Sequence, residues 1–267
     1  NRWWNLAVVL ALAFTAPAAA QTFSMPALPA PDLATARQVL QAVCGPHAGN
    51  GQTGTTGGPS CPGYCPPGTA LAGQGGQELA LTTVTRGAFV KPGETDLLAS
   101  YSGCEPSSRN SGGLYVLRPA GSGWTATRAA GLELDNCLKQ RRPDGRDQLL
   151  CWLAPATGSS LSLDTVAFNP TPVVKPLFTV SSNLAGCKPP YHAQEPESLA
   201  WRDVNGDHRP DLIAQIAATT LKTTTQACNG GAITMPQPKT YTLTFLFNGT
   251  DYKPDAPTAR LIKSLGL

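Results

Sequence analysis

Hydrophobic positions along the chain fall into distinct regimes. Leu6 to Ala16 is almost wholly apolar. Leu33, Ala36, Val39, Leu40 and Val43 then recur with helical spacing. Asp32 can cap that segment, and Gly45-Pro46 can end it, so a helix is predicted over 32–43. Residues 48–76 are rich in Gly, Thr, Pro and Ser and lack periodicity. From Glu78 onward strand-like runs dominate. The cleanest is Tyr241–Phe247, where Tyr241, Leu243, Phe245 and Phe247 fall on one face and Thr242 and Thr244 on the other.

Three stretches share one form: a polar turn, an apolar strand, a polar loop and a second strand. The turns are Phe89–Asp96, Arg142–Asp147 and Asp203–Asp211, followed by Leu97–Tyr101, Leu149–Trp152 and Leu212–Ile216. The later strands are Leu114–Leu117, Leu161–Phe168 and Tyr241–Phe247. A turn spacing of roughly fifty to sixty residues suits one small antiparallel sheet per unit, as in a propeller blade. A β-sandwich with look-alike hairpins is the alternative. The expectation is an all-β fold of antiparallel blade-like repeats, a partial or small β-propeller, with one N-terminal helix and disulfides. Three segments are expected: a signal peptide at 1–20, a Pro/Gly-rich leader with the helix and a stapled loop at 21–77, and the β-repeat domain at 78–267.

Composition narrows the class. The formal net charge is +3 and only 14% of residues are charged, while Gly and Pro number 27 and 25. A helix bundle, a coiled coil and an electrostatic nucleic-acid binder are disfavoured. Hydrophobic residues make up 41%, which argues against a disordered chain. Arg2, the apolar run and Pro17-Ala18-Ala19-Ala20 have the form of a secretory signal. A secreted or periplasmic protein follows, with no membrane insertion after signal cleavage.

All eight cysteines lie after that segment. An even count in an exported chain reads as four disulfides. Cys137 and Cys151 flank one turn and could staple a hairpin, and Cys187 and Cys228 bracket the Asp-rich turn. Cys44, Cys61, Cys65 and Cys104 are left to tie the N-terminal segment down. The rival is a zinc site at Cys61-Pro-Gly-Tyr-Cys65, but no second close pair follows and His47 is the only nearby imidazole.

Asp203-Val-Asn205-Gly-Asp207-His-Arg209-Pro-Asp211 carries oxygen side chains at its first, third, fifth and ninth positions, and Arg209 can add its backbone carbonyl. A hard cation such as Ca²⁺ takes oxygen ligands at about 2.3–2.6 Å, and Gly206 allows the sharp turn needed to wrap one. Two carboxylates about 5 Å apart repel by about 3 kcal/mol at an effective dielectric near 20, so three would splay without a cation. The loop is not an EF-hand, because its twelfth residue is Ala214 rather than Glu. Affinity is expected in the range of roughly 10⁻⁴–10⁻³ M. The plain alternative is a polar turn, since Asp, Asn and Gly are ordinary turn formers.

The motif resembles the calcium loop of FG-GAP/VCBS repeats, the blades of integrin-type β-propellers. The resemblance spans Leu199 to Ala218 and implies that Asp203, Asn205, Asp207 and Asp211 are calcium ligands. The other two units match as degenerate copies. The first keeps Phe89, Gly93 and Asp96-Leu97 but has Ala88, Val90 and Pro92 at the earlier ligand places. The second keeps Asp144-Gly145 and Leu149, with Gln140, Arg142 and Gln148 at the other places. Neither is expected to bind calcium. The chain is too short for the seven blades common in that family, which leaves closure of a ring open.

No nucleophile elbow, zinc helix motif or phosphate loop is present, and no GxGxxG lies between a strand and a helix. Asp135, Asp144 and Asp147, with Arg141, Arg142 and Arg146 nearby, read as a solvated turn, and His192 as part of an ordinary loop. Asn248-Gly-Thr250 fits an N-glycosylation sequon. The function expected is a secreted, non-catalytic calcium-binding module presenting loops to an extracellular protein or glycan. The alternatives are a secreted hydrolase using an Asp/Glu pair, and a carbohydrate-binding module using Trp124, Trp152 or Trp201.

Overall fold

The structure is a computed structural model, and it describes residues 25–49, 58–129, 131–155, 159–223 and 234–267. The expected signal segment and Cys228 lie outside the described residues. Strands account for 47% of the described residues and helices for 13%, so the described protein is mostly antiparallel β.

The first helix, α1 (Leu33–Cys44), starts where the Asp32 side chain accepts the Thr35 amide at 2.9 Å. It ends at Gly45, whose φ of 54° is the left-handed conformation that glycine adopts without steric cost. Among the described residues, thirteen strands follow in chain order. The first sheet holds β1 (Ser60–Cys61), β2 (Leu79–Gly87), β3 (Asp96–Ser102), β4 (Gly112–Ala120) and β5 (Gly123–Ala129). The second holds β6 (Cys137–Arg141), β7 (Asp147–Leu153), β8 (Ser160–Asn169) and β9 (Thr171–Ser181). The third holds β10 (Tyr191–Arg202), β11 (Asp211–Leu221), β12 (Lys239–Phe247) and β13 (Tyr252–Pro254). Within each sheet, neighbours in sequence are neighbours in space and run antiparallel. Each sheet is therefore one meander, as the repeated pattern predicts.

Alternation within the strands explains how the sheets stack. On the first sheet Leu97, Ala99, Tyr101 and Leu117 pack toward Ala36, Val39 and Leu40 of α1. The intervening Leu98, Leu114 and Val116 pack against Leu149, Cys151 and Val166 of the second sheet. On β7 the alternate residues Leu150 and Trp152 join Leu212, Ala214, Phe245 and Phe247 of the third sheet. Every residue of β7 is buried, as expected of a strand covered on both faces. The layers run α1, first sheet, second sheet, third sheet. Each large core side chain contributes about 1.5–3 kcal/mol of burial.

Three disulfides join described residues. Cys44–Cys61 ties α1 to β1, Cys65–Cys104 ties the stapled loop to the end of β3, and Cys137–Cys151 links directly opposed residues of β6 and β7. The sulfurs of Cys61 and Cys65 are thus taken, which removes the zinc alternative. Cys187 is also disulfide-bonded. Such bridging suits an oxidising environment. No helix among the described residues is long and apolar enough to cross a membrane.

A second helix, α2 (Ala256–Leu265), was not expected from the sequence pattern. Asp255 caps it by accepting the Thr258 amide at 2.8 Å. Leu261, Ile262 and Leu265 pack on the third core, and the Thr258 hydroxyl accepts the Thr244 amide at 2.7 Å. Thr244 lies just past the part of β12 that β13 pairs, so α2 covers edge backbone that β13 leaves open. His192 is also a correction: it lies within β10, with its Nε2 3.1 Å from the Ser181 hydroxyl of β9.

Candidate functional site: one rim of turns

The three predicted turns lie along one rim. A side-chain carbon at Gly145, in the β6–β7 turn, would stand 3.3 Å from Pro92 of the β2–β3 turn. At Gly249, in the β12–β13 turn, it would stand 3.7 Å from Pro143 and 3.6 Å from the Arg209 guanidinium. The three sheets thus present their second-strand turns side by side.

Each turn ends on a buried aspartate that opens the second long strand of its unit. Asp96 accepts the Val90 amide at 2.8 Å, and Asp211 accepts the Val204 amide at 2.9 Å. Asp147 accepts the amide of Ala88 at 2.8 Å, which belongs to the first sheet's turn. Asp211 also accepts the Phe247 amide of β12 at 2.8 Å. Arg141 and Arg118 approach Asp147 and Asp96 at 2.8 and 3.7 Å. The solvated-turn reading therefore fails for Asp147, which is buried and joins two sheets. Amides and a guanidinium give the buried Asp147 and Asp211 carboxylates their donors, whereas Asp96 Oδ1 has only the Arg118 guanidinium, 3.7 Å away.

The Asp-rich loop sits at the tip of the third of these turns. Asp203 accepts the Gly206 amide at 2.7 Å and the His208 amide at 2.9 Å. Asn205 accepts the Asp207 amide at 3.0 Å, and Asp207 accepts the Arg209 amide at 2.9 Å. Gly206 and His208 take positive φ angles of 79° and 62°, which curl the loop back on itself. Desolvation pushes the Asp203 carboxyl up, but the amides of His208, Gly206 and Asp207 together outweigh it and hold it below the usual range. Asp203, Asn205, Asp207 and Arg209 are exposed, whereas Asp211 is 0% exposed at the loop's base. The Arg209 guanidinium is turned away to the Asn248 carbonyl at 2.9 Å.

The donor chemistry of this loop suits a hard cation. Its candidate ligands are all oxygens, and carboxylate and amide oxygens that accept one N–H keep a further lone pair. Among the described residues, no three His, Cys, Asp or Glu side chains form a metal-holding group. An ion here would draw on the Asn205 amide, the Arg209 carbonyl and water besides carboxylates.

Elsewhere, Trp152 is 1% exposed in the core and Trp124 packs against the first core, whereas Trp201 is 36% exposed. A stacking platform built from all three indoles is excluded. Sequence reasoning also missed a buried polar group in the first sheet. Glu105 accepts the Tyr101 hydroxyl at 2.6 Å and Arg128 Nη1 at 2.7 Å. Nearby Glu133 is 5% exposed, and burial, reinforced by the charge of Asp135, pushes its carboxyl up to about 7 against the opposing Thr82 hydroxyl. No sequence signal separates these glutamates from surface ones.

The fold and the rim define an antiparallel repeat protein of three stacked meanders. No family model matches the chain, and no curated protein or solved structure is significantly similar to it.

Proposed function

We propose that this is an exported, non-catalytic repeat module that binds one Ca²⁺ at Asp203, Asn205, Asp207, the Arg209 carbonyl and Asp211. Its rim of turns would then be presented to an extracellular protein or glycan. The observation that carries the reading is the third turn. Three acidic or amide side chains fold back on the amides of one exposed loop, whose base is anchored by a buried carboxylate. The disulfides favour an oxidising compartment, periplasmic or extracellular. Trp201, exposed two residues before the loop, offers a face for a sugar ring next to the ion.

Calcium titration followed by calorimetry and thermal melting tests the reading. Binding at roughly 10⁻⁴–10⁻³ M is expected. At ten times that dissociation constant the ion adds about 1.4 kcal/mol, which raises Tm by about 3–6 °C. An unchanged Tm in about 10 mM Ca²⁺, ten times the weakest expected dissociation constant, removes the metal from the proposal.

A further inference from the structure

Between the second and third sheets, on the same rim, lies a cleft of about 180 Å³. It is bounded by the β6–β7 turn, the tight β8–β9 connection at Asn169 and the β12–β13 turn. Arg142, Arg146 and Lys175 all line it. Arg142 is 8% exposed, so its guanidinium is held inside the protein.

The charges there do not balance. Asp144 is shared between two guanidiniums, at 3.2 Å from Arg142 Nη2 and 2.8 Å from Arg146 Nη2. Asp251, which also lines the cleft, pairs with Lys175 at 2.6 Å. Three cations thus face two carboxylates. The Arg142 Nε–H is buried and has no acceptor among the described residues. A buried donor left unpaired costs about 1–3 kcal/mol, more when the group is charged. Two of the neutral donors nearby are already used: the Gln148 amide donates to Gln140 Oε1 at 2.8 Å, and the Thr165 hydroxyl to the Lys175 carbonyl at 3.4 Å. What the buried Arg142 Nε–H lacks is an acceptor, and the surplus charge asks that it be negative. A guanidinium edge matches planar and tetrahedral oxyanions.

We propose that this inter-sheet cleft binds one oxyanion group: a carboxylate, a sulfate or a phosphate. The volume admits one such group with a few waters, so a larger ligand would insert only its acidic end. No residue of loop 203–211 lines the cleft, and the inference stands whether or not calcium binds.

The test uses the whole protein in calcium-free buffer, with the arginine Nε–H resonances followed by NMR. Sodium sulfate, sodium phosphate and sodium acetate are titrated against sodium chloride at matched ionic strength. A saturable shift of the Arg142 Nε–H is expected with at least one oxyanion and not with chloride. The responding salt separates a carboxylate from a tetrahedral anion. Lys175→Gln, at an exposed position, is expected to weaken that binding about tenfold, equivalent to about 1.4 kcal/mol. Arg142→Lys should abolish it, and if that variant does not fold, Lys175→Gln and Arg146→Gln carry the test. Equal, non-saturating shifts in all four salts would overturn the proposal. So would an affinity unchanged in both Lys175→Gln and Arg146→Gln.

Discussion

The backbone of Ala88, in the first sheet's turn, makes two bonds to Asp147, the first residue of β7 in the second sheet. Its amide donates to Asp147 Oδ2 at 2.8 Å, and its carbonyl accepts the Asp147 amide at 2.8 Å. The main chain of Ala88 thus joins two layers by gripping both the carboxylate and the amide of Asp147. Asp147→Ala should leave the Ala88 N–H buried without a partner and lower stability by about 1–3 kcal/mol in urea unfolding. Gly87→Ala should also destabilise, because its new carbon would stand 2.6 Å from the same Oδ2. A wild-type midpoint for both variants would refute this role.

Two aspartates of the third turn should behave differently. Asp207 is exposed and accepts one loop amide, so Asp207→Ala should abolish the calcium-dependent rise in Tm while changing calcium-free stability by less than about 1 kcal/mol. Asp211 is buried and accepts two amides, so Asp211→Ala should cost about 2–4 kcal/mol even without calcium. Melting each variant with and without Ca²⁺ separates a residue that only holds the ion from one that also anchors the loop.

Stability should fall as pH rises through the range set by Glu133. Its carboxyl titrates near 4.5 in a solvated chain and about 7 in the fold. Below the lower value both states are protonated and the shift has no effect. Above the upper value the fold must hold a buried charge, at a cost of about 3 kcal/mol. Glu133→Gln should therefore gain about that amount over wild type at pH 8 and nothing at pH 4, read as the difference between paired urea midpoints.

The Cys137–Cys151 bridge closes a short loop across a hairpin. Replacing both cysteines by alanine should cost about 3 kcal/mol, mainly by freeing the unfolded chain. Comparing the double variant with wild type in guanidinium would show it, and an unchanged midpoint would mean that β6–β7 pairing alone holds the hairpin.

The meanders were legible because turn chemistry and strand alternation agree. Arg142-Pro-Asp-Gly-Arg-Asp147 marks a turn, Leu149–Trp152 a strand, and Tyr241–Phe247 alternates as its burial does. The hairpin disulfide was legible because Cys137 and Cys151 flank a single turn. Helix α2 was missed because ten residues carry only a few apolar positions, though Asp255 and Pro257 stand where a helix start would place them. The buried roles of Asp96, Asp147 and Asp211 were hidden because the sequence pattern does not distinguish a carboxylate meeting amides from one meeting water. The inter-sheet cleft was hidden for a different reason. Its walls come from Arg142 and Asp251, which only stacking of the second and third sheets brings together.

The buried aspartates also separate two properties usually coupled in a hairpin. Residues 88–95, 142–146 and 203–210 differ in length and chemistry, yet each leads into a strand that begins on the same kind of hub. The hub, not the loop, sets where the next strand starts. Change at the exposed positions of these connections, such as Lys91 and Asp207, is therefore insulated from the layers beneath, leaving the rim free to acquire new surface chemistry, while Ala88, Phe89 and Arg142 stay tied to the core.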